Sequence, residues 1–169
     1  MFARSFDPLL GRKTYDIFAA HWPYVGADDP IGPMVNRITK YIATRNPNLS
    51  LGWQNSQTLG TDAVAGVRRL KTEEGPDLLT QGSCDFLQTL LRHDLVDEIN
   101  ASIFPVVLGA GKKLFGEGAA PTALKLAGSR VSASGVTVNR YTRGGPIVTG
   151  SFQLEPPTEA EPERRRKLG

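Results

Sequence analysis

Apolar positions change period several times along the chain, and each change marks an element. The densest succession runs from Asp77 to Gly118, DLLTQGSCDFLQTLLRHDLVDEINASIFPVVLGAGKKLFGEG. Leu78, Leu79 and Thr80 lie between Gly75-Pro76 and Gly82-Ser83, which predicts a short buried strand entering a turn. Phe86, Leu87, Leu90 and Leu91 then recur at helical spacing with Gln88, Thr89, Arg92 and His93 opposite, so a helix with one core face follows. Ser83 stands where it can cap that helix. Asp85 in its first turn and Arg92 and His93 in its last follow the order that the macrodipole favours. From Glu98 to Leu108, Ile99, Ala101 and Ile103 alternate with Asn100 and Ser102 before the run turns wholly apolar, the pattern of a strand of changing exposure. Pro105 cannot donate to a ladder, so it belongs at a bulge or where the neighbouring strand has ended.

Before this unit, Leu9-Leu10 reads as a strand tip followed at once by Gly11-Arg12-Lys13-Thr14. Tyr15, Phe18, Ala19 and Trp22 share a helical face until Pro23, giving a helix over about 14–22. Pro33 opens a short helix with Met34, Val35 and Ile38 inward; 41–44 reads as a strand, and Trp53 to Leu59 holds another. Thr61-Asp62 caps a helix carrying Ala63, Val64, Val67 and Leu70 on one face. Ala123 to Val131 and Val136 to Tyr141 have period two and are joined by Ser132-Ala133-Ser134-Gly135, a hairpin. Ser151 to Leu154 reads as a last edge strand. Strand and helix alternate up to Leu108 and a hairpin closes the chain. The expected class is therefore α/β, a single-domain, mostly parallel twisted sheet with flanking helices and a C-terminal antiparallel hairpin.

The length of 169 residues suits one core. Domain 1–154 is expected to be followed by a disordered charged tail, 155–169, because composition there turns to Pro, Glu and Arg. The net charge of +3 favours anionic small molecules weakly, and without a clustered basic face it does not support nucleic-acid binding. One cysteine excludes an internal disulfide and a cysteine-rich metal site, and suits a cytoplasmic protein. No apolar run approaches the length of about 20 residues that a membrane helix needs, and Met1 to Asp7 shows no secretory signal.

Ligands of open α/β sheets bind at the carboxyl ends of the strands. Three such ends carry turns suited to anions: Gly11 to Thr14, Thr44-Arg45 and Gly82-Ser83. At the first, Arg12 and Lys13 oppose the positive end of a helix dipole unless an anion lies between them, which is the best residue-level sign of a phosphate site. Each turn alone is weak. Cys84 at a helix start reads as a buried filler in the absence of a neighbouring base, His21 and His93 lack a third ligand, and Asp97-Glu98 reads as a solvated turn. Lys112 and Lys113 in the glycine loop either meet an anionic substrate or keep the loop soluble. No catalytic residue and no metal site can be named.

The segments LLGRKTYDIF, YIATR, GSCDFLQTLL and LVDEINASIFPVVLGAGKKLF resemble the dihydrofolate reductase-like superfamily, in the branch of the bacterial riboflavin-biosynthesis (RibD C-terminal) reductase domain. The resemblance runs from about Leu9 to Phe152 and is most distinctive in LVDE, a strand, and PVVLGxGKxLF. It implies NADPH as cofactor, with Gly11, Arg12, Lys13 and Thr14 at a phosphate, Thr44 and Arg45 near the adenosine 2′-phosphate, and Gly82, Ser83 and Cys84 at the pyrophosphate. It implies hydride transfer to a pteridine- or pyrimidine-like small molecule, and a homodimer is the assembly it leaves to test. The alternatives are a nucleotide-binding module without turnover and a truncated, inactive family member. By the resemblance, the family's first strand and its following loop, which carries the proton-donating carboxylate in dihydrofolate reductases, are missing. That strand would lie between the one ending at Thr80 and the one starting at Glu98. Those two should therefore either pair directly or leave an uncovered gap.

Overall fold

The computed structural model describes residues 4–46, 48–116, 121–148, 150 and 158–168, and arranges its strands in two sheets. Strands β1 (Phe6–Gly11), β2 (Lys40–Ala43), β3 (Ser56–Thr58) and β4 (Asp77–Leu79) form a parallel sheet of order β3-β2-β1-β4. Strands β5 (Glu98–Ile103), β6 (Leu124–Val131) and β7 (Thr137–Arg143) form an antiparallel sheet of order β5-β7-β6. Helices α1 (Arg12–Ala19), α2 (Gly32–Arg37), α3 (Ala63–Leu70) and α4 (Cys84–Arg92) lie in the connections. The predicted α/β class, the parallel sheet and the C-terminal hairpin are all present.

Neighbouring residues of a strand point to opposite faces, and β1 buries both. Leu9 packs with Leu59, Val67, Leu70, Phe86 and Leu90, under α3 and α4. Leu10 packs with Tyr15, Val35, Ile42 and Trp53, under α1 and α2. The parallel sheet is thus the middle layer of three. Asp62 caps α3 as its sequence predicts, its carboxylate accepting from the N–H groups of Val64 and Ala65 at 2.9 and 3.0 Å.

Several elements differ from the pattern-based expectation. The strand starting at Glu98 stops at Ile103 instead of Leu108, and Phe104 to Leu108 lie exposed beyond it, with Val107 98% accessible. The cause is its partner: β7 starts at Thr137, opposite Ile103, so no ladder continues past that pair. Strand β5 joins the hairpin and not β4, and a cleft of about 770 Å³ separates the two edges. Of the two outcomes set out above, the gap is the one observed. The first helix begins earlier, at Arg12, and Trp22 to Tyr24 turn separately as a 3-10 segment. Ser83 precedes α4 but its side chain does not cap it. The expected strand at Ser151 to Leu154 lies outside the described residues. Within the tail expected to be disordered, Ala160–Leu168 form a helix, α5, braced by bonds from Arg164 and Arg165 to Glu161 at 2.7 and 2.9 Å.

Lys40 is fully buried at the start of β2. Its ammonium donates to the carbonyls of Val35 and Asn36 at 3.1 and 3.2 Å, completing the C-terminal end of α2, and sits 4.5 Å from the centre of the Trp53 ring. Trp53 itself bonds Tyr15 and Asn36, so this corner joins α1, α2 and β2. Burial pushes the Lys40 ammonium down to about 8, against a partial opposing pull from Asp7. Between that value and the ordinary 10.5, the unfolded chain holds the proton and the folded chain does not. Stability should therefore rise from pH 8 toward pH 10, by at most about 1.4 kcal/mol per pH unit. Burial raises the Tyr41 phenol, whose opposite contribution begins only near its ordinary value of 10.0. Urea midpoints across this window should climb in the wild type, and Lys40→Met should remove the climb.

Gly66 of α3 tests the packing more directly. A Cβ at this position would come within 2.3 Å of the Leu59 carbonyl oxygen. Replacing a helical glycine by alanine normally gains about 1 kcal/mol, but a forced backbone shift in a packed core costs about 1–3 kcal/mol. The clash should win, and Gly66→Ala should lower the unfolding free energy measured by chemical denaturation.

Candidate functional site

The registers of β1 bring the three candidate turns to one edge. Gly11 pairs with Ala43, so Thr44 and Arg45 leave the sheet beside the Gly11 turn. Pro8 pairs with Leu79, so Thr80 to Ser83 run alongside the last residues of β1. The closest meeting is between the first and third turns. Ser83 Oγ accepts from the Gly11 N–H at 2.8 Å and donates to Thr14 Oγ1 at 2.8 Å. These contacts set the N-termini of α1 and α4 side by side, so two sets of unpaired N–H groups and two positive dipole ends share one neighbourhood.

Glycine suits both turns, for different reasons. A Cβ on Gly11 would stand 3.1 Å from Ser83 Oγ, while Gly82 has φ +81°, in the left-handed region. Ser83 is also left-handed, at φ +58°, a conformation that costs a non-glycine residue on the order of 1 kcal/mol.

The remaining candidates are placed less closely. Arg12 turns back along its helix to Asp16 at 2.8 Å, a half-exposed pair worth no more than about 1 kcal/mol, which an arriving phosphate can replace. Lys13 is exposed at the same turn. Thr44 Oγ1 accepts from the Asn46 N–H at 3.1 Å, and Arg45 is exposed next to it. Cys84 is partly buried and faces the cleft between the sheets. Among the described residues no cluster of histidine, cysteine or carboxylate is suited to a metal.

That cleft begins at Gly82 and Cys84 of the third turn and is lined by Thr80, Gln81, Asn100, Leu114 and Phe115 among others. Gln88 fixes one wall, donating to the Leu114 carbonyl at 2.8 Å and accepting from the Gly116 N–H at 3.2 Å. Its place on the polar side of α4 was legible, but nothing local showed that this side holds the glycine loop. Thr80 Oγ1 is buried without a partner among the described residues, an orphan beside the turn. Arg4 reaches Asp77 at 2.8 Å and Glu98 at 3.8 Å at a different part of the rim, spanning the gap between β4 and β5.

A strand–turn–helix edge with paired glycine turns, joined to an antiparallel hairpin, defines an α/β domain whose ligand edge lies at the carboxyl ends of its parallel strands. The chain belongs to the RibD C-terminal domain family, whose profile matches residues 2–138. It is similar to two uncharacterized proteins of Bacillus subtilis (strain 168). YyaP is 32% identical over 151 residues, covering 85% of this chain and 78% of YyaP, and YwjB is 30% identical over 135 residues, covering 80% and 72%. Among solved structures, a Shewanella sp. PV-4 protein named for riboflavin biosynthesis superposes with a TM-score of 0.65 at 22% identity, over 84% of this chain and 75% of its own. A pyrimidine reductase-like protein from Corynebacterium diphtheriae gives 0.56 at 14% identity, over 85% and 77%. These structural likenesses establish the RibD-like fold.

The left-handed backbone at Gly82 gives a direct check on the turn. Gly82→Ala adds a Cβ that meets nothing closer than the Thr14 side chain at 3.9 Å, so the cost should be conformational only. Denaturation should show a loss of about 1–2 kcal/mol, with the far-UV circular dichroism spectrum unchanged.

Proposed function

We propose that this chain is an NADPH-dependent reductase acting on a pteridine- or pyrimidine-like small molecule. The observation that carries the reading is the convergence of the α1 and α4 N-termini on the Gly11–Ser83–Thr14 contact, at the carboxyl edge of a parallel sheet in a RibD-type domain. The residues present suit the cofactor: two turns that glycine keeps open, unpaired main-chain donors, and cations at Arg12 and Lys13. Gly11 to Thr14 would hold one phosphate, Gly82, Ser83 and Cys84 the pyrophosphate, and Thr44 with Arg45 the 2′-phosphate that distinguishes NADPH from NADH.

The cofactor supplies a hydride when bound. The protein's own part is to orient and to exclude water. Gln81 and Asn100 offer hydrogen bonds to the edge of a heteroaromatic ring, and Leu114 and Phe115 offer apolar surface to its faces. With no acid assigned, water serves as the proton source. The single cysteine and an NADPH-linked reaction suit the cytoplasm. The exposed apolar run Phe104, Val106, Val107 and Leu108 supports a homodimer, since contiguous apolar surface of this kind marks interfaces.

A second reading is favoured by the width of the cleft. With β4 and β5 unpaired across about 770 Å³, the substrate walls stand apart, which suits a nucleotide-binding module without turnover or an inactive member of the family.

A thermal shift with NADPH and NADH, followed by NADPH oxidation with candidate pyrimidines and pteridines, separates the readings. At one hundred times its dissociation constant NADPH should add about 2.7 kcal/mol of stability. Arg45→Gln should weaken NADPH and leave NADH unchanged. Oxidation with a substrate supports the reductase; a shift without oxidation supports the binding module; no shift at millimolar NADPH rejects both.

A further inference from the structure

Resting on the nucleotide-site reading above, we infer that Ser83 is a positioning residue whose hydroxyl aims the Thr14 hydroxyl at the bound anion. A serine preceding a helix ordinarily accepts an N–H of that helix. Ser83 does not: no side-chain cap bond is made to α4. Its oxygen instead accepts the Gly11 N–H at 2.8 Å, across 72 residues of chain. An oxygen that accepts a main-chain hydrogen turns its own hydrogen elsewhere, and Thr14 Oγ1, 2.8 Å away, is the acceptor it reaches.

Thr14 Oγ1 therefore has a hydrogen of its own to give. Among the described residues no protein acceptor takes it, and the residue is only partly buried, in the first turn of α1. The three groups form a one-way chain, Gly11 N–H to Ser83 O–H to Thr14 O–H, whose free end is a donor. Such chains polarise along their length, so the last donor is strengthened toward a charged acceptor. A phosphate oxygen at the joint mouth of α1 and α4 fits that end. The left-handed φ of +58° at Ser83 is the conformation from which its hydroxyl reaches the other helix, and glycine in the same place would adopt it freely while breaking the chain.

Isothermal titration of NADPH against the full chain decides the matter. Ser83→Ala, Ser83→Gly and Thr14→Val should each raise Kd about tenfold, the scale of one hydrogen bond to a charged group. The double variant Ser83→Ala with Thr14→Val should be no weaker than either single one, because one chain is broken in each. Thr14→Ser, which keeps the donor, should stay within about twofold of the wild type. Ser83→Gly is the decisive variant, since it relieves the left-handed strain and folds at least as well as Ser83→Ala. Wild-type affinity in Ser83→Gly, or effects of Ser83 and Thr14 that multiply in the double variant, would overturn the relay while leaving the nucleotide site standing. A wild-type chain that binds no NADPH overturns the nucleotide reading and the relay together.

Discussion

The structure depends on β1 being paired on both sides. Between β2 and β4 it has no solvent edge, its residues Leu9 and Leu10 anchor opposite cores, and its last residue, Gly11, delivers the chain into α1. Because all four strands run the same way, their carboxyl ends fall on one edge, and the two registers decide which turns become neighbours. The Gly11–Ser83 contact is a consequence of Pro8 standing opposite Leu79. A slip of one residue in that pairing would also exchange the faces of Leu78 and Leu79, so the hydrophobic cores protect the geometry of the site.

Much of this was legible from periodicity. The strand tip at Leu9-Leu10, the apolar stripes of α3 and α4, the Asp62 cap and the Ser132–Gly135 hairpin are local signals, and each element sits where its residues predicted. The grouping of Gly11, Thr14, Gly82 and Ser83 was legible as well, since the α/β pattern sends every strand's carboxyl end to one edge. The direction of Ser83's hydrogen bonds was not: a serine before a helix carries the same local signal whether it caps its own helix or reaches another. Lys40 was equally silent, because a lysine beside a strand reads as a surface charge until α2 and Trp53 are folded around it. The strand end at Ile103 failed for a related reason. The apolar run through Leu108 carries strand propensity, yet a strand lasts only as long as its partner, and β7 supplies none beyond Thr137.

The two halves of the domain are held together by interactions of a different kind from those within them. Each side of the parallel sheet has an apolar core. Among the described residues, polar contacts tie the antiparallel sheet to the connection that follows α4 and to Lys71 after α3. Arg143 bonds the Val96 carbonyl at 3.0 Å and Asp94 at 2.9 Å, and Lys71 with Arg143 brackets Asp97. Arg4 completes the set from the start of β1. Exposed pairs of this type contribute about 0–1 kcal/mol each, far less than a buried cluster in which single large-to-small changes cost about 2–5 kcal/mol.

That contrast bears on how the site is divided. The Gly11 and Gly82–Ser83 turns belong to the parallel half and are fixed by its cores and by the Ser83 contacts, so any ligand at them would meet a preformed surface. The far wall, carried by Ile99 and Asn100 of β5, belongs to the half held mainly by exposed charges. A ligand that touched both walls would add apolar burial between β4 and β5, whose edges Arg4 spans through Asp77 and Glu98. Binding and orientation of a second ligand are then one event with the setting of the cleft's width, because the contacts that would hold the ligand are the same ones that would hold the two sheets at a distance.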